Sequence, residues 1–103
     1  MIIYIDIDET ICHYPEEHVY HKAVPIEKYI KIANELYDKG HTIVYWTARG
    51  SLSGKDYTEL TKTQFEMWGV KYHELILKKP YYDLFIDDRT INSFEEIHKW
   101  EIK

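Results

Sequence analysis

MIIYIDIDET, residues 1–10, combines a β-branched apolar run with two aspartates spaced two apart. Such a run predicts a buried strand, with the acids just beyond its carboxyl end. In open α/β sheets ligands bind outside the carboxyl ends of the strands, so Asp6 and Asp8 are candidate functional residues. Two carboxylates this close repel each other unless a cation or a shared proton is present, and an all-oxygen ligand set favours Mg²⁺. A solvated turn after an edge strand is the alternative.

Length and composition limit the classes of protein that need to be considered. A chain of 103 residues, 45% of them apolar, predicts one globular domain spanning residues 1–103. No segment is long and apolar enough to cross a membrane, and residues 1–10 lack the features of a signal peptide, so we expect a cytoplasmic protein without membrane contact. The net charge of −5 argues against nucleic-acid binding but is compatible with a small phosphorylated substrate.

Residues 11–24 have no helical periodicity and predict a loop or a short hairpin over the end of the first strand. They contain the single cysteine, Cys12, which excludes an intrachain disulfide and a cysteine-based zinc site. We interpret Cys12 as an ordinary small side chain. The spacing of His13, His18 and His21 matches no metal-binding pattern, and contact with a substrate is the better functional reading of one of them.

A strand–helix–strand unit follows. Pro25 is expected to open a helix that ends at Gly40, and residues 42–46 form the second β-rich run. A right-handed crossover makes the two strands parallel, so that Thr47 and Arg49 face the same crevice as the first acids. A hydroxyl and a guanidinium there suit a phosphoryl oxygen. Thr47 as a turn residue and Arg49 in a surface ion pair are the alternatives.

The second half of the chain predicts a helix over 55–68, a short third strand at either 70–72 or 75–77, and a last strand at 82–86. Lys78 and Lys79 precede Pro80, and Asp87 and Asp88 follow the last strand. A chain this small rarely gathers four carboxylates at one rim of its sheet without a cation. A closing helix over 93–100 is predicted from the Ser93/Glu96 capping pattern.

Taken together and in this order, four stretches resemble the signatures of the haloacid dehalogenase superfamily of phosphotransferases. They are Asp-x-Asp-x-Thr after a strand (Asp6, Asp8, Thr10), a Thr at the end of the next strand (Thr47), a lysine ahead of the last strand (Lys79, with Lys78 as the fallback) and an acidic pair (Asp87, Asp88). Glu9 departs from the pattern, because many small-molecule members carry glycine there. The Asp-Glu-Thr version is similar to phosphatases that act on the tail of RNA polymerase.

The resemblance implies a three-layer, Rossmann-like sandwich with a central parallel sheet and a set of site residues. Asp6 is the expected nucleophile and Asp8 the general acid and base. Thr47 and Lys79 stabilise charge on the transferring oxygens. The implied cofactor is Mg²⁺, bound by Asp6, the backbone carbonyl of Asp8 and Asp87, with Asp88 close by. The expected substrate-binding residues are Thr10, Ala48, Arg49 and Lys79.

The resemblance also implies a capless enzyme, because only short segments separate the signatures. The stretches WGVKY and KPYYDLFIDD are similar to small members found with surface-polysaccharide genes, which implies a sugar phosphate or a related metabolite as substrate. A phosphoprotein or polynucleotide-end phosphatase is the alternative within enzymes. A phospho-receiver domain and a non-catalytic binding module are alternatives from other classes. A homo-oligomer, in which a neighbouring subunit serves as a lid, is compatible with a capless site.

Overall fold

A three-stranded parallel sheet forms the centre of the protein. The computed structural model describes residues 1–16 and 19–100. Its sheet has the order β1 (Ile2–Ile5), β4 (Thr42–Trp46), β5 (Glu74–Ile76). Strand β4 lies in the middle, and Ile43, Val44 and Tyr45 are buried there, as expected for a parallel strand covered on both faces. The chain is thus a small α/β protein, and the third strand is the later of the two segments predicted for it.

Two α-helices accompany the sheet. Helix α1 (Glu27–Asp38) buries Ile30, Ala33 and Leu36, which lie on one face at the spacing of an amphipathic helix. Pro25 does not open this helix as predicted, because it pairs with Cys12 in a β-ladder. Helix α2 (Thr58–Trp68) begins three residues later than predicted and ends at Gly69, which adopts the left-handed conformation typical of a helix end.

The segment between β1 and α1 is a hairpin, one of the two forms predicted for it. Strands β2 (Cys12–His13) and β3 (Val24–Pro25) are antiparallel, and a 3₁₀ helix (Tyr20–Lys22) lies between them. The Ile26 amide donates a hydrogen bond to the Ile11 carbonyl, 2.8 Å away. The hairpin therefore returns the chain close to the point where it left the sheet. Glu17 and His18 belong to this segment and lie outside the described residues, so the reading of His18 is not addressed.

The prediction of a strand at 82–86 is wrong. These residues form no strand, and Leu84 and Ile86 are 74% and 86% exposed. The apolar pattern has no partner ladder in the structure, whereas the same kind of pattern in β1 is paired residue by residue with β4. Apolar composition alone does not specify which strand a segment pairs with.

The closing segment is a 3₁₀ helix, Phe94–Lys99, in place of the predicted helix over 93–100. Ser93 caps it, but its side chain accepts from the Glu95 amide, and Glu96 reaches back to the Asn92 amide. The capping residues were therefore predicted correctly while their partners are shifted by one position. Phe94 is buried and stacks on Tyr29 of α1 at a ring separation of 5.5 Å, which ties the segment to the rest of the fold.

In the ranges 1–16 and 19–100, no helix has the length and the apolar character needed to span a bilayer.

Candidate active site

The carboxyl ends of β1 and β4 lie side by side because Ile5 is in register with Tyr45. The residues that follow each strand therefore meet at one edge of the sheet. From β1 come Asp6 and Asp8, and from β4 come Thr47, Ala48 and Arg49. The parallel pairing of these two strands, predicted from the sequence, is confirmed, and it brings the first and second signatures to the same edge.

Asp6 faces a lysine. The Nζ atom of Lys79 lies 3.6 Å from Oδ1 of Asp6, and the Lys79 amide donates to the Thr47 carbonyl at 3.2 Å. Lys79 is thus anchored to the end of β4 by its backbone, while its ammonium group lies over the Trp46 and Tyr82 rings, 5.3 Å from each centroid. Lys78, by contrast, is exposed. Of the two lysines that the sequence left open, Lys79 contacts the first aspartate.

Burial and charge act in opposite directions on Asp6. Burial disfavours the ionised form and raises the pKa of Asp6, and the ammonium of Lys79 lowers it, with burial the larger effect. The side chain of Asp6 remains 39% exposed, so it is accessible to a ligand. A raised pKa on an accessible acid beside a cation is typical of functional sites.

Asp8 is held by Arg49 in a two-pronged ion pair. Nη2 of Arg49 lies 2.8 Å from Oδ1 of Asp8, and Nε lies 3.0 Å from Oδ2. The side chains are 0% exposed for Arg49 and 15% exposed for Asp8. This contact is a buried carboxylate–guanidinium pair with the planar geometry that arginine favours. Arg49 is therefore neither at the surface nor directed toward solvent.

Two residues that the sequence analysis did not select complete the surroundings of Arg49. Its Nη1 atom lies 2.6 Å from Oε1 of Gln64 and 3.1 Å from the hydroxyl oxygen of Thr61. Both come from one face of α2 and both are buried. In the sequence, the signal for these contacts is a Thr and a Gln three residues apart on the face of the predicted helix that is expected to be buried. Buried polar side chains need hydrogen-bond partners, so this pattern indicates a polar group packed against that face.

Thr47 is buried, and its hydroxyl oxygen accepts from the Arg49 amide at 3.1 Å. Because the hydroxyl acts as the acceptor in this bond, its hydrogen can still be donated to a ligand. Ala48 is half-buried in the turn that follows, where its carbonyl accepts from the Ser51 amide. Thr47 thus has both a role in the turn and the capacity to bind a phosphoryl oxygen, the two readings left open by the sequence.

The turn after β1 has an unusual backbone. Glu9 adopts a φ of 61°, in the left-handed region that glycine tolerates best. The turn is closed by hydrogen bonds from the Thr10 and Ile11 amides to the Ile7 carbonyl. Thr10 is half-buried in this turn. A residue with a Cβ atom carries a steric cost in this conformation, so glycine would be the less strained residue at position 9.

The second acidic pair is not part of this cluster. Asp87 and Asp88 are exposed, and Oδ1 of Asp87 accepts from the Arg89 amide at 2.8 Å in a local turn. Within 1–16 and 19–100, no three His, Cys, Asp or Glu side chains lie together in a way that could hold a metal ion. The predicted Mg²⁺ therefore does not fit the side chains as they are arranged, because Asp6 and Asp8 face cations and Asp87 and Asp88 lie apart from them.

The hairpin carries a cysteine and two described histidines, Cys12, His13 and His21, whose surroundings differ. Cys12 is fully buried, and burial, with the Asp8 charge adding to it, raises the pKa of its thiol to about 12. A neutral buried thiol is a poor nucleophile, in line with the interpretation made from the sequence. His13 lies 2.9 Å from a carboxylate oxygen of Glu9, and His21 is exposed in the 3₁₀ helix.

A groove adjoins the Lys79 side of the site. It has a volume of about 590 Å³ and lies between the loop that follows Arg49 and the segment around Lys79. Its lining includes Lys55, Tyr57, Lys78 and Tyr81. Gly50 is required in this loop, because a Cβ atom there would lie 2.1 Å from the Lys55 carbonyl oxygen. Lys79, the partner of Asp6, also lines the groove, whose volume is sufficient for a small organic group.

The similarity to solved structures concerns the fold. A crystal structure of an MCSG target from Vibrio cholerae matches with a TM-score of 0.77 and 24% sequence identity, over 96% of this chain and 95% of that one. At this identity the match supports the α/β architecture of the chain and says nothing about activity. No protein-family model and no curated protein matches the sequence. The function must be argued from the site itself.

Proposed function

We propose that this protein is a phosphomonoester hydrolase in which Asp6 is the nucleophile. The observation that carries the proposal is the accessible Asp6 carboxylate within 3.6 Å of the Lys79 ammonium, beside Thr47 at the shared edge of the sheet. A nucleophile, a cation and a hydroxyl donor are the groups that an anionic phosphoryl transfer needs. The resemblance of the four signatures to haloacid dehalogenase phosphotransferases supports the same reaction, as a proposal.

The reaction proceeds in two displacements. In the first, which requires Asp8 in its protonated form, an oxygen of Asp6 attacks phosphorus, the bond from phosphorus to the leaving oxygen breaks, and that oxygen takes the proton from Asp8. In the second, water attacks the aspartyl phosphate and returns a proton to Asp8, which releases inorganic phosphate and the Asp6 carboxylate. Lys79 and Thr47 stabilise the charge on the transferring oxygens. General acid–base catalysis by Asp8 typically contributes about 10²- to 10⁴-fold.

The proposal extends to features that the sequence predicts at finer detail. They are a three-layer Rossmann-like sandwich without a cap domain, a cytoplasmic location, a small sugar phosphate or related metabolite as substrate, and dependence on Mg²⁺. No reaction step is assigned to Mg²⁺, because the arrangement of Asp6 and Asp8 leaves no set of ligands for it among the described residues. The alternatives, a phosphoprotein phosphatase and a polynucleotide-end phosphatase, are tested by including phosphopeptides and nucleotides among the substrates.

The deciding experiment measures release of inorganic phosphate from p-nitrophenyl phosphate, with Mg²⁺ and with EDTA. We expect the wild type to be active and Asp6→Asn to lose at least about 10⁴-fold in kcat, because the nucleophile is removed. Asp38→Asn is the matched control, since Asp38 makes an exposed ion pair with Lys71. Equal activity of Asp6→Asn and the wild type would refute the assignment. An inactive wild type across sugar phosphates, nucleotides and phosphopeptides would favour the binding-module reading.

A further inference from the structure

Arg49 has no donor left for a substrate. Its five N–H groups face protein acceptors: Nε and Nη2 donate to Asp8, and Nη1 donates to Thr61 and Gln64. The remaining Nη2 contact is with the sulfur of Cys12, at 3.9 Å. The side chain is fully buried. A guanidinium with this set of contacts is a structural part of the site, and it reaches the reacting atoms only through Asp8.

The contacts hold Arg49 from both sides. Thr61 and Gln64 fix the Nη1 end on helix α2, and the Tyr20 ring lies against the guanidinium with its centroid 5.0 Å from Cζ. Gln64 also donates through Nε2 to the Tyr20 carbonyl at 2.7 Å. Helix α2 and the hairpin are therefore joined at the guanidinium. The direction of the Asp8 carboxylate is set by groups that lie on two separate elements.

We propose that Arg49 is a positioning residue that holds the Asp8 carboxylate in the orientation needed for proton transfer, and that Gln64 in turn holds Arg49. The inference rests on the proposed function, in which Asp8 is the general acid and base. Oδ1 of Asp8 accepts from Nη2 of Arg49 and from the Cys12 thiol, whereas among the described residues Oδ2 accepts from Nε of Arg49 alone. Each carboxylate oxygen has two lone pairs, so Oδ2 is the atom that can still meet the leaving oxygen of a substrate. This role replaces the direct substrate contact expected for Arg49 from the sequence.

The test compares Arg49→Lys with Asp8→Asn by pre-steady-state and steady-state kinetics on p-nitrophenyl phosphate. Nitrophenolate leaves without needing a proton, whereas hydrolysis of the aspartyl phosphate needs Asp8. Both variants are therefore expected to release about one equivalent of nitrophenolate in a burst and then to turn over slowly. For Arg49→Lys we expect kcat to fall by about 10²-fold, the typical cost of misplacing a catalytic group by about 1 Å, with KM changed less than about threefold.

A double variant separates positioning from substrate contact. If Arg49 acts through Asp8, then Asp8→Asn/Arg49→Lys has the same kcat as Asp8→Asn, because residues that act as a unit are not additive. If Arg49 binds the phosphoryl group instead, Arg49→Lys raises KM, shows no burst, and adds its full effect to that of Asp8→Asn. The second set of results would overturn the inference while the hydrolase proposal stands.

Gln64→Leu provides an independent variant if Arg49→Lys does not fold. It removes the acceptor at Nη1 and leaves both partners of the Asp8–Arg49 pair in place, and we expect a smaller fall in kcat, about tenfold, with the same burst. Thr63→Ala, at an exposed position of the same helix, is the matched control. Kinetics of Gln64→Leu equal to those of the wild type would overturn the inference. A wild type without phosphatase activity would refute the proposed function and this inference together.

Discussion

The two acidic stretches of the chain have similar sequences and different surroundings. Each consists of an apolar run followed by a pair of aspartates: 1–8 in one case and 82–88 in the other. In the first, Ile7 is fully buried, and Asp6 and Asp8 each face a cation. In the second, Ile86 is 86% exposed, and Asp87 accepts hydrogen bonds from Arg89 and Thr90 in its own turn.

The difference shows what a pair of aspartates after an apolar run needs in order to form part of a buried functional site. The first stretch is paired with β4, and the loop after β4 supplies Arg49 while anchoring Lys79. The second stretch has no such neighbour in the described structure. Carboxylates that lack cations remain solvated, because desolvating them without a partner is costly. The strand ladder, and not the acidic pattern, decides which pair is drawn into the molecule.

The largest expected effect distinguishes the two apolar runs. Ile5→Ala should lower the free energy of unfolding by about 3 kcal/mol, because it leaves a cavity in the core. Ile86→Ala should change it by less than about 0.5 kcal/mol, because its side chain is exposed. Chemical denaturation of both variants measures the difference. A loss at Ile86 as large as that at Ile5 would show that the Ile86 side chain is buried in solution, and would contradict the difference drawn here between the two runs.

The second prediction concerns metal binding by the acidic pairs. The sequence predicts a Mg²⁺ site that includes Asp87, which would require Asp87 to approach Asp6. The structure, in which Asp87 lies outside the Asp6–Asp8 cluster, predicts that Asp87→Asn leaves the apparent Mg²⁺ affinity unchanged. If Asp87 does reach Asp6 when Mg²⁺ binds, the same substitution should weaken that affinity by at least about 10-fold. The shift in Tm during a Mg²⁺ titration gives the affinity. Asp83→Asn, exposed and four residues earlier, is the control, and an unchanged affinity in Asp87→Asn would remove the second pair from the site.

The smallest expected effect is a pH-dependent change in stability at Asp6. Its pKa is raised above the ordinary value of 3.8, mainly by burial, with Lys79 opposing the shift. A raised pKa means that the native state favours the protonated acid, so stability is fully present below pH 3.8 and is lost as the pH rises through the native pKa. Asp6→Asn should therefore have a higher Tm than the wild type at neutral pH.

The size of this stability difference is limited by solvent. More than a third of the Asp6 side chain is exposed, so screening reduces the penalty, and we expect a rise of less than about 4 °C. The difference should vanish on acidification below pH 4. Thermal unfolding of the wild type, Asp6→Asn and Asp38→Asn across this range provides the measurement. A lower Tm for Asp6→Asn at neutral pH would mean that the contact with Lys79 outweighs the cost of burial.

Much of the first half of the site is predictable from local pattern. The β-branched runs before Asp6 and Thr47 and the helix between them predict two parallel strands, and a parallel crossover brings their carboxyl ends to one edge. The groups around Arg49 are not predictable in this way. Thr61 and Gln64 reach it from a helix that begins nine residues later in the chain, and only their burial in an otherwise apolar helix face indicated a partner.

Local chemistry in the chain was enough to define the α/β class, the strands β1 and β4 and the first pair of candidate acids, because these depend on apolar periodicity and on residues close to one another. Tertiary structure decided that Lys79 faces Asp6, that Arg49 is buried against Asp8, and that 82–86 forms no strand. Those outcomes depend on which distant groups share a buried space. The cost of burying a charge is offset only by a partner at the right distance, and no local pattern specifies that distance.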